Sequence, residues 1–223
     1  MKGNIKKLAI FVMMAAIAIF IAAATASAGD HDGKTIGDDH RNAIVGEYMY
    51  AGMNNCISSP VPPGFDELFR ALGPVTYASG TLQGIFTFKP HGKGTVKGRQ
   101  VSVSLPQSIN QPPAAAQHPF ASATSSDLSY DFTYEVTDDG TITLEMVPET
   151  FDVTILTGPS AGKVTWDVDK ISLSGLISKD YKTMTLGAIE PAVWTLTYHP
   201  SNAIVQSICG TWRFLTRLEE LHK

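Results

Sequence analysis

"YDFTYEVTDDGTITLEMV", residues 130–147, decides how the rest of the chain is read. Tyr130, Phe132, Tyr134 and Val136 alternate with Asp131, Thr133 and Glu135. In an extended backbone successive side chains point to opposite faces, so the apolar set shares one face and the polar set the other. Asp138-Asp139-Gly140 then supplies a turn, with glycine free to take a positive φ. Ile142, Leu144 and Met146 restart the alternation. The stretch predicts an antiparallel hairpin with one buried face.

The same two-residue period recurs on both sides. Downstream it runs through "KVTWDVDKISL" (163–173), "MTL" (184–186), "VWTLTY" (193–198) and "ICGTWRFL" (208–215). Upstream it runs through "IVGEYMY" (44–50), "TLQGIFTF" (81–88) and "TVKGRQVSVSL" (95–105). Turn residues punctuate these runs, which predicts an all-β fold of about 8–10 strands. Helix is expected only in "PPGFDELFRALGP" (62–74), where Phe65, Leu68, Phe69 and Leu72 fall at helical spacing before Gly73-Pro74, and in a turn or two at the exposed C-terminus. Residues 106–126 read as loop. If each strand reverses direction, the short connections KPHGKG, TDDG, GPSAG and GAIEP fall at one end. The long connections 51–80, 106–126 and 199–206 fall at the other. That sorting favours an up-and-down antiparallel barrel, with one short helix in its first long loop, over a Greek-key sandwich.

The N-terminus has a separate logic. Lys2, Lys6 and Lys7 precede an uncharged apolar run, Leu8 to Ala24, and then Ala26-Ser27-Ala28. This is the layout of a secretory signal cut after residue 28. The run of about 17 residues is at the short limit for a bilayer span of roughly 20, and an uncleaved anchor is the alternative reading. Residues 1–28 are therefore read as a signal peptide, 29–42 as a flexible acidic arm and 43–223 as a single barrel domain. Export to the periplasm or the extracellular space follows, with no membrane span after cleavage. The net charge moves from −4 to −7 once the three lysines leave, and such a surface argues against a nucleic-acid partner. Oligomeric state is left open.

Two cysteines in an exported chain most often pair. Cys56 follows the first strand and Cys209 lies in the last, and closing a barrel makes those strands neighbours. The expected bond pins the closure seam. Cleavage after Ala28 also exposes Gly29-Asp30-His31. A free amine, two backbone amides and a histidine in third place can wrap Cu(II) or Ni(II) in a square plane of nitrogens. No other cofactor is expected, and the copper or nickel would be adventitious.

An exported chain, a "GEYMY" first strand, a long loop over the mouth and a run of hairpins together resemble the lipocalin-like barrels of the calycin group. The likeness covers most of residues 44–216 and is one of layout; the lipocalin first-strand tryptophan is replaced by Tyr48. It implies a pocket for a small apolar molecule. Aromatics on strands are core in most proteins, but in a barrel of eight strands the inward face can line a ligand site. The expected lining is Phe86, Phe88, Tyr130, Phe132, Tyr134, Trp166 and Trp212, with Trp194 also on a strand. Phe65, Phe69 and Phe120, in the long loops, are the expected lid.

Three motifs carry little chemistry. "GPSAG" (158–162) matches a hydrolase elbow, but a strand rather than a helix follows Ser160. "HGKGTVKG" (91–98) lacks the Lys-Ser/Thr order and the helix of a phosphate loop. "DHDGKTIGDDH" (30–40) lacks the alternating acids of a calcium loop. His91, His118, His199 and His222 are scattered over loops and termini. The expectation is a binding protein for a small apolar or amphipathic ligand rather than an enzyme. An isomerase or cyclase in a similar cup, and a structural or adhesive envelope protein with a filled core, are the alternatives.

Overall fold

The computed structural model describes residues 36–107, 122–158, 161–162 and 165–218. A helix, α1 (Ile36–Ala43), precedes eleven strands: β1 (Gly46–Pro60), β2 (Val75–Lys89), β3 (Lys93–Gln107), β4 (Ser122–Val136), β5 (Thr141–Met146), β6 (Asp152–Thr157), β7 (Thr165–Val168), β8 (Ser172–Ile177), β9 (Thr183–Gly187), β10 (Val193–His199) and β11 (Ala203–Arg217). All pairings are antiparallel. The order β1-β2-β3-β4-β5-β8-β9-β11 returns to β1 and closes a ring.

Eleven strands make only eight staves. β5 and β6 both pair with β4, at Phe132–Val136 and Ser125–Ser129 respectively, so they are two halves of one stave interrupted at 147–151. β8 and β7 form the next, broken at 169–171. β9 and β10, both on β11, form the one after, broken at 188–192. The lower half of the barrel is thus ringed by β5, β8 and β9, and the upper half by β6, β7 and β10. Among the described residues β6 lies beside β7 without a hydrogen-bonded ladder. This is the expected up-and-down barrel, with "KVTWDVDKISL" divided between β7 and β8.

Burial follows the two-residue period. Along β4 the even positions from 126 to 136 are inside and the odd ones from 127 to 135 are not buried. In the lower half Tyr48, Tyr50, Phe86, Phe88, Phe132, Tyr134, Ile142, Leu144, Met184, Leu186 and Leu215 fill the interior. Their rings meet edge-on, as with Tyr50 and Phe86 at 4.9 Å and Phe88 and Tyr134 at 5.1 Å. Such pairs add about 0.5–1.5 kcal/mol each beyond the area they bury. Gly84 and Gly98 face inward on adjacent strands, and a side chain on either would run into the Tyr50 ring.

Helix α1 packs on the lower end, where the sequence reading carries a flexible arm to residue 42. It is held there by polar contacts. The Tyr134 hydroxyl donates to the Lys89 carbonyl at 2.8 Å and reaches the Arg41 carbonyl at 3.4 Å. The Arg217 guanidinium donates to the carbonyls of Ala43 and Val45. His40 bonds the Tyr181 hydroxyl, and Ile44 is fully buried.

Two expectations fail. Residues 62–74 form turns with a short Phe65–Ala71 bridge, not a helix. One Asp66 carboxylate oxygen accepts from the amides of Leu68 and Arg70, which a helix would need for itself. Phe69 sits at φ 60°, outside helical space. The second failure concerns the ends. Gly158, where GPSAG begins, lies beside Ala123 and Thr124, at the same end as the 61–74 and 200–202 connections. GAIEP is no end turn at all but the break between β9 and β10.

Candidate functional site

Above the aromatic plug the interior opens into a cavity of about 500 Å³. It extends from Arg213 to the upper end at Ser104, Ser122 and Ser201. Two kinds of wall enclose it. The continuous staves β1 to β4 contribute small polar groups, Asn54, Ser58, Gln100, Ser102, Thr124 and Ser126, set among Ala78, Leu82, Leu128 and Tyr130. The jointed staves contribute Ile155, Trp166, Val168, Trp194, Leu196 and Tyr198, with Phe151 from the β5–β6 break. Some of the hydroxyls bond to each other, Ser58 with Ser207 at 2.7 Å and Ser102 with Thr124 at 2.9 Å. The Cys56–Cys209 bond, between directly paired residues of β1 and β11, forms part of the wall and joins the closure seam as the sequence implies.

The floor is charged. Arg213 is 4% exposed, and its Nε and Nη1 make no hydrogen bond to the protein. It takes part in no salt bridge among the described residues. Its guanidinium lies 6.0 Å from the Tyr50 ring centre and 5.9 Å from that of Phe86, as a cation over aromatic faces. The hydroxyls of Tyr50 and Tyr130 and the amide oxygen of Asn54 are likewise buried without partners. Burial pushes the Tyr50 phenol up to about 12, against the pull of the Arg213 charge, and raises Tyr130 for the same reason. Both phenols are neutral hydrogen-bond donors at ordinary pH. Among the described residues of the lining, Arg213 is the only charged one.

Of the expected lining residues, Tyr130 and Trp166 border the cavity. Phe86, Phe88, Phe132 and Tyr134 do not; they are the packed plug beneath it, each at most 3% exposed. Trp212 is corrected outright. It is 53% exposed on the outer face, because its neighbours Thr211 and Arg213 take the inward positions. Phe65 and Phe69 lie in the 61–74 connection at the mouth end but do not border the cavity, and Phe69 is 44% exposed. Phe120, Ser160 and Gly29-Asp30-His31 lie outside the described residues.

Sequence reasoning passed over Arg213, Asn54 and the serine rows. A usable signal existed. Cys209 must face Cys56, and the two-residue period then turns Thr211, Arg213 and Leu215 to the same side. Among the described residues no cluster of histidines, cysteines and carboxylates could hold a metal ion, and no helix is long and apolar enough to cross a membrane. Comparison of the sequence with known protein families and with curated proteins finds no match.

Proposed function

We propose that this chain is an exported β-barrel that holds one small amphipathic molecule in its upper half, in the manner of the lipocalin-like barrels its layout resembles. The observation that carries the reading is the cavity. Its volume falls within the range of small-molecule sites, roughly 300–1,000 Å³, and its lining is an aromatic wall with a few convergent polar groups. A protein whose role is purely structural gains nothing from leaving its upper half unfilled, since packed interiors are the more stable. The signal-like N-terminus and the disulfide support export. Binding uses every feature of this lining and needs no general base; the described lining contains no Asp, Glu or His.

The neutral dye N-phenyl-1-naphthylamine tests the reading. It should bind saturably at one site, with quenching of tryptophan emission from Trp166 and Trp194. Ser102→Trp, which fills the cavity from the polar wall, should abolish binding without loss of the β-sheet circular dichroism. Binding that does not saturate, or that survives Ser102→Trp unchanged, would end the proposal.

A further inference from the structure

We infer that the ligand is an amphipathic anion, with a carboxylate-type head seated on Arg213 and an apolar body laid along the β6–β7–β10 wall. The inference rests on the binding role proposed above and deepens it.

The argument begins with an arrangement that folding alone does not favour. A buried cation without a partner is among the least tolerated features of a protein interior. Buried polar groups are nearly always bonded, so several orphans in one place call for an explanation. Here the orphans converge. Arg213 Nε and Nη1, the Tyr50 and Tyr130 hydroxyls and Asn54 Oδ1 are all buried and unpartnered. Arg213, Tyr130 and Asn54 all border the cavity, and the Arg213 guanidinium lies 6.0 Å from the Tyr50 ring centre, while the Tyr50 hydroxyl lies against Gly98.

The chemistry of this group is directional. A guanidinium donates only, and its planar fork matches the two oxygens of a carboxylate. The neutral Tyr130 phenol, which borders the cavity, adds an O–H donor. A carboxylate accepts all of these. A neutral alcohol satisfies at most one or two, and a cation is repelled.

The position is as informative as the chemistry. Arg213 lies at the closed bottom of the cavity, above the aromatic plug, while Trp166, Trp194, Tyr198 and Phe151 line the wall above it. A molecule that enters from the mouth with its head downward neutralises the charge at the floor. Its body then meets the aromatic wall on one side and the serine and threonine hydroxyls of β1 to β4 on the other. Arginine over lysine suits the site, because its charge is spread and its cost of desolvation lower.

The test measures competition against N-phenyl-1-naphthylamine, whose own binding reports that the cavity is intact. Dodecanoate and 2-naphthoate present the same head on a chain and on a ring; dodecanol, 2-naphthalenemethanol and dodecylamine are the controls. At least one carboxylate should compete tenfold or more better than its alcohol, and the stronger of the two identifies the body. Dodecylamine should compete worst. Arg213→Met should bring carboxylate and alcohol to equal affinity while the dye still binds. Its melting temperature without ligand should equal or exceed that of the parent, because a buried uncompensated charge has been removed. The carboxylate should raise the parent's melting temperature and leave that of Arg213→Met unchanged. Tyr130→Phe, which keeps the ring, gives an independent reading and should weaken the carboxylate several-fold and the alcohol hardly at all. Equal competition by carboxylate and alcohol in the parent overturns the anion inference and leaves the binding role standing. Failure of the dye to bind overturns the binding role itself.

Discussion

Removing the seam disulfide separates what the covalent bond does from what the ladder does. Cys56 and Cys209 are 153 residues apart in sequence and directly opposed in the β1–β11 register. That register runs from Tyr48↔Arg217 to Pro60↔Val205, so the seam is held by a full-length ladder with or without the bond. The effect of the double variant Cys56→Ala/Cys209→Ala therefore falls on the denatured chain, which is no longer tied into a loop. For a loop of that length the chain-entropy estimate is about 5 kcal/mol, and measured bonds often give less. The expected loss is about 3–5 kcal/mol. In a domain of this size each kcal/mol moves the melting temperature by about 2–4 °C, so a fall of roughly 6–20 °C should accompany it. Urea denaturation followed by tryptophan fluorescence measures the loss directly, and the slope should rise as the freed chain exposes more surface. The variant should keep its β-sheet circular dichroism in the absence of urea. A loss under about 1 kcal/mol with an unchanged slope would refute the denatured-state account. Collapse of the sheet at 25 °C would show that the bond, and not the ladder, holds the seam.

Three further outcomes are expected. Phe132→Ala should cost about 3–5 kcal/mol in urea denaturation, since it empties the centre of the plug, whereas Trp212→Ala on the outer face should cost less than about 1 kcal/mol; similar costs would contradict the assignment of β11's faces. In a spectrophotometric titration at 295 nm Tyr50 and Tyr134, both raised from 10 to about 12 by burial, should ionise only beyond the ordinary range. Because the fold holds these protons after the unfolded chain has lost them, the stability they contribute is complete below pH 10 and falls between pH 10 and 12; full ionisation by pH 11 without unfolding would contradict their burial. A chain that begins at Gly29 should take up one Cu(II) with the visible band of a four-nitrogen site, and His31→Ala or acetylation of the amine should remove it.

What the sequence made legible was whatever depends on the two-residue period alone. β4 and β5 announce their inner faces residue by residue, and the closure of the barrel makes Cys56 and Cys209 neighbours. The period gives two faces but does not say which is inside. In "ICGTWRFL" size and apolarity nominate Trp212 and Phe214, yet the barrel takes in Thr211 and Arg213. The cavity floor there inverts the usual preference, which is why hydrophobicity missed it. The division of the interior was also beyond reach. Phe86 and Tyr130 both face inward, one in the plug and one on the cavity, and only the height of each along its stave separates them. The 62–74 segment failed for a local reason, because Asp66 competes for amides that helical spacing assigns to the backbone.

The jointed staves give the barrel a direction of compliance. β1 to β4 and β11 are continuous runs of fifteen residues. Their ladders register nearly end to end, so bending that side breaks hydrogen bonds in series. On the opposite side each stave is cut at mid-height, and among the described residues β6 and β7 stand side by side with no ladder between them. Among the described residues, parting those two strands breaks no ladder, only the bond from the Gly162 amide to the Ile155 carbonyl, and the breaks at 147–151 and 169–171 let the upper halves swing without disturbing the plug below. The aromatic wall is therefore also the soft wall. It can widen or narrow the cavity, while the β1 to β4 wall and the Arg213 floor keep a fixed shape. Amide exchange should trace this asymmetry as a gradient around the circumference, slowest in β2 and fastest in β6 and β7.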